Sequence, residues 1–355
     1  MRLSPGSIAG AAANVSAKYF GGGLADLRPM PRTLIDSGPT RSVYRFISVA
    51  GPLAGDPVLL VPPLAAPALC FDLRRGCSLA EHLVDGQRRN TYLVDYGNIA
   101  FTDRTLGVEH WVNDVLPNTV RAVSEDAGGR PVHIVAWCLG GIFSLLTAAD
   151  RPDLPIASIS DVASPIDFSA IPLVAPIRPL ADITGGRIVT QVYRLFGGAP
   201  RQMVKWAFQL SAIDKFVTKP LAILQHLDDR EFLAQIEAVD HFTNNMAAYP
   251  GRTFGQLYHH FFRSNDLLDG AVSVSGRTIR LADIGVPVLV IAGEGDGIAP
   301  RDAVRKLVDV LDKSPDVRFQ TCPGGHLGVL TGRRARNTTW AVIDEFLAEY
   351  APLSK

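Results

Sequence analysis

The chain has 355 residues, 47% hydrophobic and 20% charged, and its 35 basic and 35 acidic residues cancel. That composition excludes a disordered chain and lacks the basic surplus that nucleic-acid binding demands. The longest apolar runs, such as Val286 to Ala292, are strand-length and far short of the ~20 residues of a membrane helix. Asn14, Ser16 and Lys18 interrupt the apolar stretch of the first twenty residues, so no secretory signal is expected and the cytoplasm is the expected compartment. Cys70, Cys77, Cys138 and Cys322 form no CxxC pair and read as thiols.

From residue 40 onward the pattern alternates. Strands are predicted at Val43–Val49, Pro57–Val61 and Thr91–Val94, with helical spacing at Leu79–Val84 and Val108–Val123. A strand at Val132–Trp137, a helix at Gly140–Ala149 and a strand at Ile156–Val162 follow. Continuous apolar strands separated by helices predict a mostly parallel sheet covered on both faces. Phe168 to Leu281 then reads as mostly helical, for example at Val204–Leu210 and Phe232–Val239. The alternation resumes with a strand at Val288–Ala292, a helix at Arg301–Leu311, a strand at Val317–Thr321 and a helix over Asn337–Tyr350. The expected organisation is an α/β fold with an N-terminal extension (1–40), a first core part (41–167), a helical cap (168–281) and a second core part (282–355). The cap is rich in apolar residues, among them Ile171, Leu173, Val174, Phe208 and Phe216.

One segment points to chemistry. Val132 to Trp137 runs straight into Cys138, and Leu139-Gly140-Gly141 opens a helix. This is the strand–nucleophile–helix elbow of the α/β-hydrolase fold with Cys in the Ser position. The turn needs small residues two before and two after the nucleophile, and Ala136 and Gly140 supply them. The helix start favours the thiolate and turns the Leu139 N–H toward a developing oxyanion. In this fold the acid and the His come later in the chain. Asp296 follows the strand Val288–Ala292, and His326 follows the strand Val317–Thr321, so both belong to the same sheet edge as Cys138. His326 would serve as base and Asp296 would orient it, with Glu294 as the rival acid. The other seven histidines read as packed or surface residues, and none has metal-ligand spacing. Pro62 and Pro63 lack an N–H, so Leu64 is the first candidate for a second oxyanion donor.

These residues resemble the polyhydroxyalkanoate (polyester) synthases, most closely the short catalytic-subunit type, over about residues 40–345. Trp137-Cys138-Leu139-Gly140-Gly141 is similar to the family's lipase-like box, and Leu59 to Leu64 to the stretch before its oxyanion loop. Tyr92 to Gly97 looks like its Val-Asp-Trp-Gly segment, with Tyr96 for Trp, and Ala163 to Phe168 like its Thr-Pro-Val-Asp-Phe segment. Tyr249-Pro250-Gly251 and Asn265 look like parts of its cap, and Gly324-Gly325-His326-Leu327-Gly328-Val329 is the most specific match. Two positions depart from the family: Ala136, where Gly or Ser begins the box, and Gly297, where His usually follows the Asp. The resemblance places the family's catalytic Cys, Asp and His on Cys138, Asp296 and His326. It implies (R)-3-hydroxyacyl-CoA substrates, release of CoA, and growth of a polyester such as poly(3-hydroxybutyrate) on the cysteine. It implies no cofactor and no metal, and as partners the polyester or its granule surface and either a homodimer or a second synthase subunit. Arg333, Arg334 and Arg336 are candidates for the CoA phosphates, against an ordinary solvated basic turn. A thioesterase or acyl hydrolase that does not polymerise is the alternative.

Overall fold

The computed structural model describes residues 5–172, 198–210 and 213–351. Six strands precede the insertion: β1 (Arg32–Gly38), β2 (Arg41–Phe46), β3 (Ala54–Val61), β4 (Arg89–Asp95), β5 (Val132–Trp137) and β6 (Ile156–Val162). Two short pairs lie within it, β7 (Gly198–Ala199) with β8 (Tyr249–Pro250) and β9 (Ala271–Val274) with β10 (Arg277–Arg280). Then come β11 (Val288–Gly293) and β12 (Val317–Cys322). Eight strands form one sheet in the order β1-β2-β4-β3-β5-β6-β11-β12. β1, β2 and β4 pair antiparallel, and every pairing from β4 to β12 is parallel.

The sheet is mostly parallel because helices cover both of its faces. Every residue of β5 and of β11 is buried, which is why both read as unbroken apolar runs. The core continues into Leu139–Asp150, a helix in which all residues up to Ala149 are buried. This is the α/β-hydrolase arrangement expected from the sequence, with helices inserted between β6 and β11. Arg201–Leu210, Ile213–Gln225 and Arg230–Asn244 are among them. Leu173 and Val174 of the expected lid lie outside the described residues, as does the Phe216 side chain.

Two elements differ from the sequence reading. The alternation begins earlier, at β1, an edge strand whose residues are all exposed or half-buried and so lack an apolar signature. The stretch expected to be helical also holds the β9–β10 hairpin. Its buried Val272, Val274 and Ile279 alternate with exposed residues. Ser275 and Gly276 both take positive φ, 51° and 79°, as a two-residue hairpin turn requires. That alternation and the Ser-Gly pair were visible in the sequence.

The insertion is tied to the core at several points. Arg74, 5% exposed, donates to Glu231 Oε2 at 2.8 Å and to Gln235 Oε1 at 3.1 Å. Gln235 in turn donates to the Thr331 carbonyl at 3.0 Å. Asn265 bonds both the Phe168 N–H and the Asp167 carboxylate, at 2.8 and 2.9 Å, so the insertion's departure from the core is clamped to its far end. Among the described residues no helix is long and apolar enough to cross a membrane.

Candidate active site

Cys138 sits between β5 and the helix it opens, with φ 54° and ψ −123°. A non-glycine residue there is strained, and such strain marks functional turns. The surrounding packing holds it. The Cys138 N–H donates to Val162 O at 2.8 Å, and Ile142 and Gly141 N–H both donate back to the Cys138 carbonyl. Gly140 has no room for a side chain: a Cβ would lie 2.5 Å from Val61 O and 2.6 Å from Pro62 O. The elbow is therefore pressed against the end of β3, where Leu64 follows the two prolines. Leu139 is the first helical residue, so its N–H has no acceptor within the helix. Both proposed oxyanion donors lie on segments brought together by this contact.

Asp296 and His326 meet across the loops after β11 and β12. His326 Nδ1 stands 2.8 Å from Asp296 Oδ2, with both side chains buried. The other carboxylate oxygen, Oδ1, accepts the N–H groups of Ile298 and Ala299, each at 2.8 Å, so the acid is fixed on both sides. Glu294 is exposed. The two loops are stitched by Gly295 N–H to Gly324 O and Glu294 N–H to Cys322 O. The Trp137 indole N–H donates to the His326 carbonyl at 3.2 Å, and the two rings lie 5.0 Å apart. The elbow strand thereby holds the His loop directly. This part of Trp137 leaves no mark in the sequence, because its partner is a backbone carbonyl.

Burial opposes a charge on the His326 ring, but the negative Asp296 and then Cys138 overcome it and push the ring up to about 10. Asp296 therefore holds His326 by contact, and Cys138 lies near enough to act on the ring through its charge. The other thiols are different. Cys70, Cys77 and Cys322 are buried, and burial pushes each of them up, whereas Cys138 is partly exposed. Tyr249 is close enough to feel the Cys138 charge, and burial first and that charge second raise its hydroxyl. Its Tyr-Pro-Gly segment carried the resemblance but no assigned place at the site. From the insertion, Phe242 packs on Trp137 at 6.1 Å between ring centres, and Phe208 on Phe242 at 5.9 Å.

The remaining candidates fall elsewhere. Arg333 is paired with Asp229 at 3.0 Å and lies over the Phe232 ring, while Arg334 and Arg336 are exposed. His133 is core, its Nδ1 2.7 Å from Ser158 Oγ, and burial pushes it down to about 4. Among the described residues no cluster of His, Cys, Asp and Glu could hold a metal ion. A cavity of about 440 Å³ beside the oxyanion loop is lined by Leu64, Tyr96, Asp95, Arg32 and His241 among others.

In sequence, the chain is 26% identical over 322 residues to the poly(3-hydroxyalkanoate) polymerase subunit of Allochromatium vinosum, covering 90% of this chain and 88% of that protein. It is 23% identical over 294 residues to the subunit of the same name from Haloferax mediterranei, covering 82% of this chain but 58% of that one. Over most of its length the chain is similar to poly(3-hydroxyalkanoate) polymerase subunits. No protein-family model matches it. In structure it is similar to BpoC, a non-heme bromoperoxidase-type protein of Mycobacterium tuberculosis H37Rv, with a TM-score of 0.53 at 16% identity over 90% of this chain and 97% of the other. At that identity the likeness speaks for the α/β-hydrolase fold alone.

Proposed function

We propose that this chain is a polyester synthase-like acyltransferase that takes 3-hydroxyacyl groups from CoA thioesters onto Cys138 and passes them to a growing hydroxyacyl chain. The observation that carries the reading is the buried Asp296–His326 pair at the sheet edge where Cys138 opens its helix, in a chain similar to polyester polymerase subunits. His326 takes the thiol proton, and the thiolate attacks the thioester carbonyl. The N–H groups of Leu139 and Leu64 receive the oxyanion. When the tetrahedral species collapses, the C–S bond to CoA breaks and the imidazolium protonates the leaving thiolate. Acylation removes the negative charge of Cys138, one of the two that raise His326. The ring is then a weaker base, raised by Asp296 alone, and gives up its proton more readily before it must accept the next one. It deprotonates the 3-hydroxyl of an incoming hydroxyacyl group, whose oxygen attacks the Cys138 thioester. An ester forms and the thiol returns.

A cysteine suits this chemistry because exchange between two thioesters is close to thermoneutral, so the acyl group stays activated. Phe208, Phe242 and Trp137 place apolar surface over the set, which favours a hydroxyl acceptor over bulk water. Arg334 and Arg336, both exposed, remain the candidates for the CoA phosphates, joined by Arg333 only if its pairing with Asp229 opens. The granule surface or polyester, and a second copy or second subunit, are the partners this reading entails, in the cytoplasm. The deciding experiment is incubation with 3-hydroxybutyryl-CoA, titrating released CoA against free hydroxy acid. CoA release with little free acid and a growing ester product is expected. One free acid per CoA from the first turnover would make the protein a thioesterase instead.

A further inference from the structure

Asp161 is the next-to-last residue of β6 and is 0% exposed. It takes no part in the set above, since His326 is already held by Asp296. No charged side chain of any described element acts on its carboxyl: burial and the Ser164 hydroxyl are the influences on it. It faces Ala136 across β5, Val290 across β11 and Gly141 on the helix after the elbow, and Cys138 is the titratable neighbour, reached through Ser164. Asp161 nevertheless sits at the back of the nucleophile. Ser164 Oγ lies 2.5 Å from Asp161 Oδ1 and 2.6 Å from the Cys138 carbonyl oxygen.

Proton counting decides what this chain of contacts is. A serine hydroxyl has one proton to give. The Cys138 carbonyl can only accept, and so can an ionised Asp161 carboxylate, so the one Ser164 proton cannot serve both short contacts. Both contacts are satisfied together when a second proton is present, and the Asp161 carboxyl is its source. An ionised carboxylate would either set lone pairs against lone pairs or strip the bond from the Cys138 carbonyl. The far oxygen, Asp161 Oδ2, has no hydrogen-bond partner among the described residues. That is tolerable for the carbonyl oxygen of a neutral acid and costly for half of a buried anion. The space is reserved for the pair, because a Cβ at Gly141 would fall 1.7 Å from Asp161 Oδ1 and 2.2 Å from Ser164 Oγ.

We propose that Asp161 is a protonated positioning residue that, through the Ser164 hydroxyl, grips the Cys138 carbonyl and holds the nucleophile elbow in its left-handed conformation. The proposal rests on Cys138 being the acyl carrier. Burial pushes the Asp161 carboxyl up to about 8 against the pull of Ser164, in keeping with a neutral acid at physiological pH. Above that value the proton leaves, Ser164 turns toward the new carboxylate, and the Cys138 carbonyl loses its outer bond.

The test compares Asp161→Asn, whose amide N–H₂ can donate to Ser164 at every pH, with Asp161→Ala. Two measurements are made: infrared difference spectra, and the pH dependence of Cys138 modification by iodoacetamide and by a slowly turned-over acyl-CoA. Expected are a protonated-carboxyl band at neutral pH that is missing from Asp161→Asn, and wild-type acylation that declines above about pH 8. Asp161→Ala should lose at least about ten-fold in acylation rate. Asp161→Asn should restore most of that loss and flatten the alkaline decline. If no such band exists, or if Asn is as slow as Ala, the proposal is overturned. Should Asp161→Ala fail to fold, the band and the Asn pH profile still decide. If Cys138 is not the acyl carrier, the wild type fails to acylate it, while the band and iodoacetamide alkylation still report on Asp161.

Discussion

Replacing Gly140 with Ala puts one methyl group into the contact between the elbow and the end of β3. The new Cβ would stand 2.5 Å from Val61 O and 2.6 Å from Pro62 O, both backbone atoms that have no rotamer to change. To reach a distance that real Cβ atoms tolerate, the elbow helix and the oxyanion loop must part by about 0.5–0.9 Å. Two energies oppose each other. Ala gains about 1 kcal/mol over Gly in a helix, and overpacking a rigid site costs about 1–3 kcal/mol. The net destabilisation is therefore small, about 0–2 kcal/mol, while the spacing between Leu139 and Leu64 changes by most of an ångström. A displacement of that size costs up to about 10²-fold in rate. The expected signature is a catalytic defect out of proportion to the stability change. Urea unfolding gives the stability change, and single-turnover CoA release from 3-hydroxybutyryl-CoA gives the rate. Gly285→Ala, where nothing lies within 4 Å of the added carbon, is the matched control and should change neither. Wild-type acylation by Gly140→Ala would refute the argument that this contact sets the oxyanion geometry.

A slowly turned-over acyl-CoA should label Cys138 alone, as mapped by mass spectrometry, and Cys138→Ala should fold yet release essentially no CoA. Label on Cys70, Cys77 or Cys322 would contradict the assignment. Asp296→Asn should lower turnover by about 10⁴, the loss seen when the acid of such a triad is replaced by its amide, whereas the exposed Glu294→Gln should do little. An NMR titration should find His326 cationic at neutral pH, with its midpoint lowered in Cys138→Ala, because one of the two negative neighbours is gone. As the folded ring is raised to about 10, its contribution to stability is complete below about pH 6.5 and is lost as pH rises toward 10. Chemical denaturation across that window should show the decline in wild type and a weaker one in Asp296→Asn. Arg74→Met strips the donor from Gln235 and Glu231, and limited proteolysis should then cut the insertion faster while β5 and β11 stay protected.

What could be read from the sequence followed burial. β5 and β11, covered on both faces, print as apolar runs, and Cys138 and Asp296 lie just beyond them, while His326 follows β12, a half-buried edge strand. The parallel sheet was legible for that reason, and the candidate residues were found by looking where strands end. β1 was not legible, because an edge strand with a polar sequence carries no period-two signal strong enough to see. The β9–β10 hairpin was overlooked inside a stretch read by its helical spacing, although Val272, Val274 and Ile279 alternate as a hairpin should. The supports of the site were out of reach altogether. Trp137 acts on a backbone carbonyl and Asp161 on a hydroxyl, and neither partnership leaves a spacing in the chain. Arg333 pairs with Asp229, a contact between distant parts of the chain that the cationic run gave no sign of.

The seam between β6 and β11 has a consequence for how the protein comes into being. The two strands are adjacent, Val288 opposite Ile159 and Val290 opposite Asp161, yet more than a hundred residues of chain separate them. On the ribosome the elbow half emerges first, with β6 presenting an open edge and Cys138 without its base. At about 5–20 residues per second, some 10–30 s pass before the chain through β12 has been made. During that interval the sheet edge is a target for pairing with other chains, and the nascent protein needs shelter there more than anywhere else. The same delay keeps the thiol from His326 until the last strands dock, so on the function proposed above an unfinished chain would not draw acyl groups from the CoA pool.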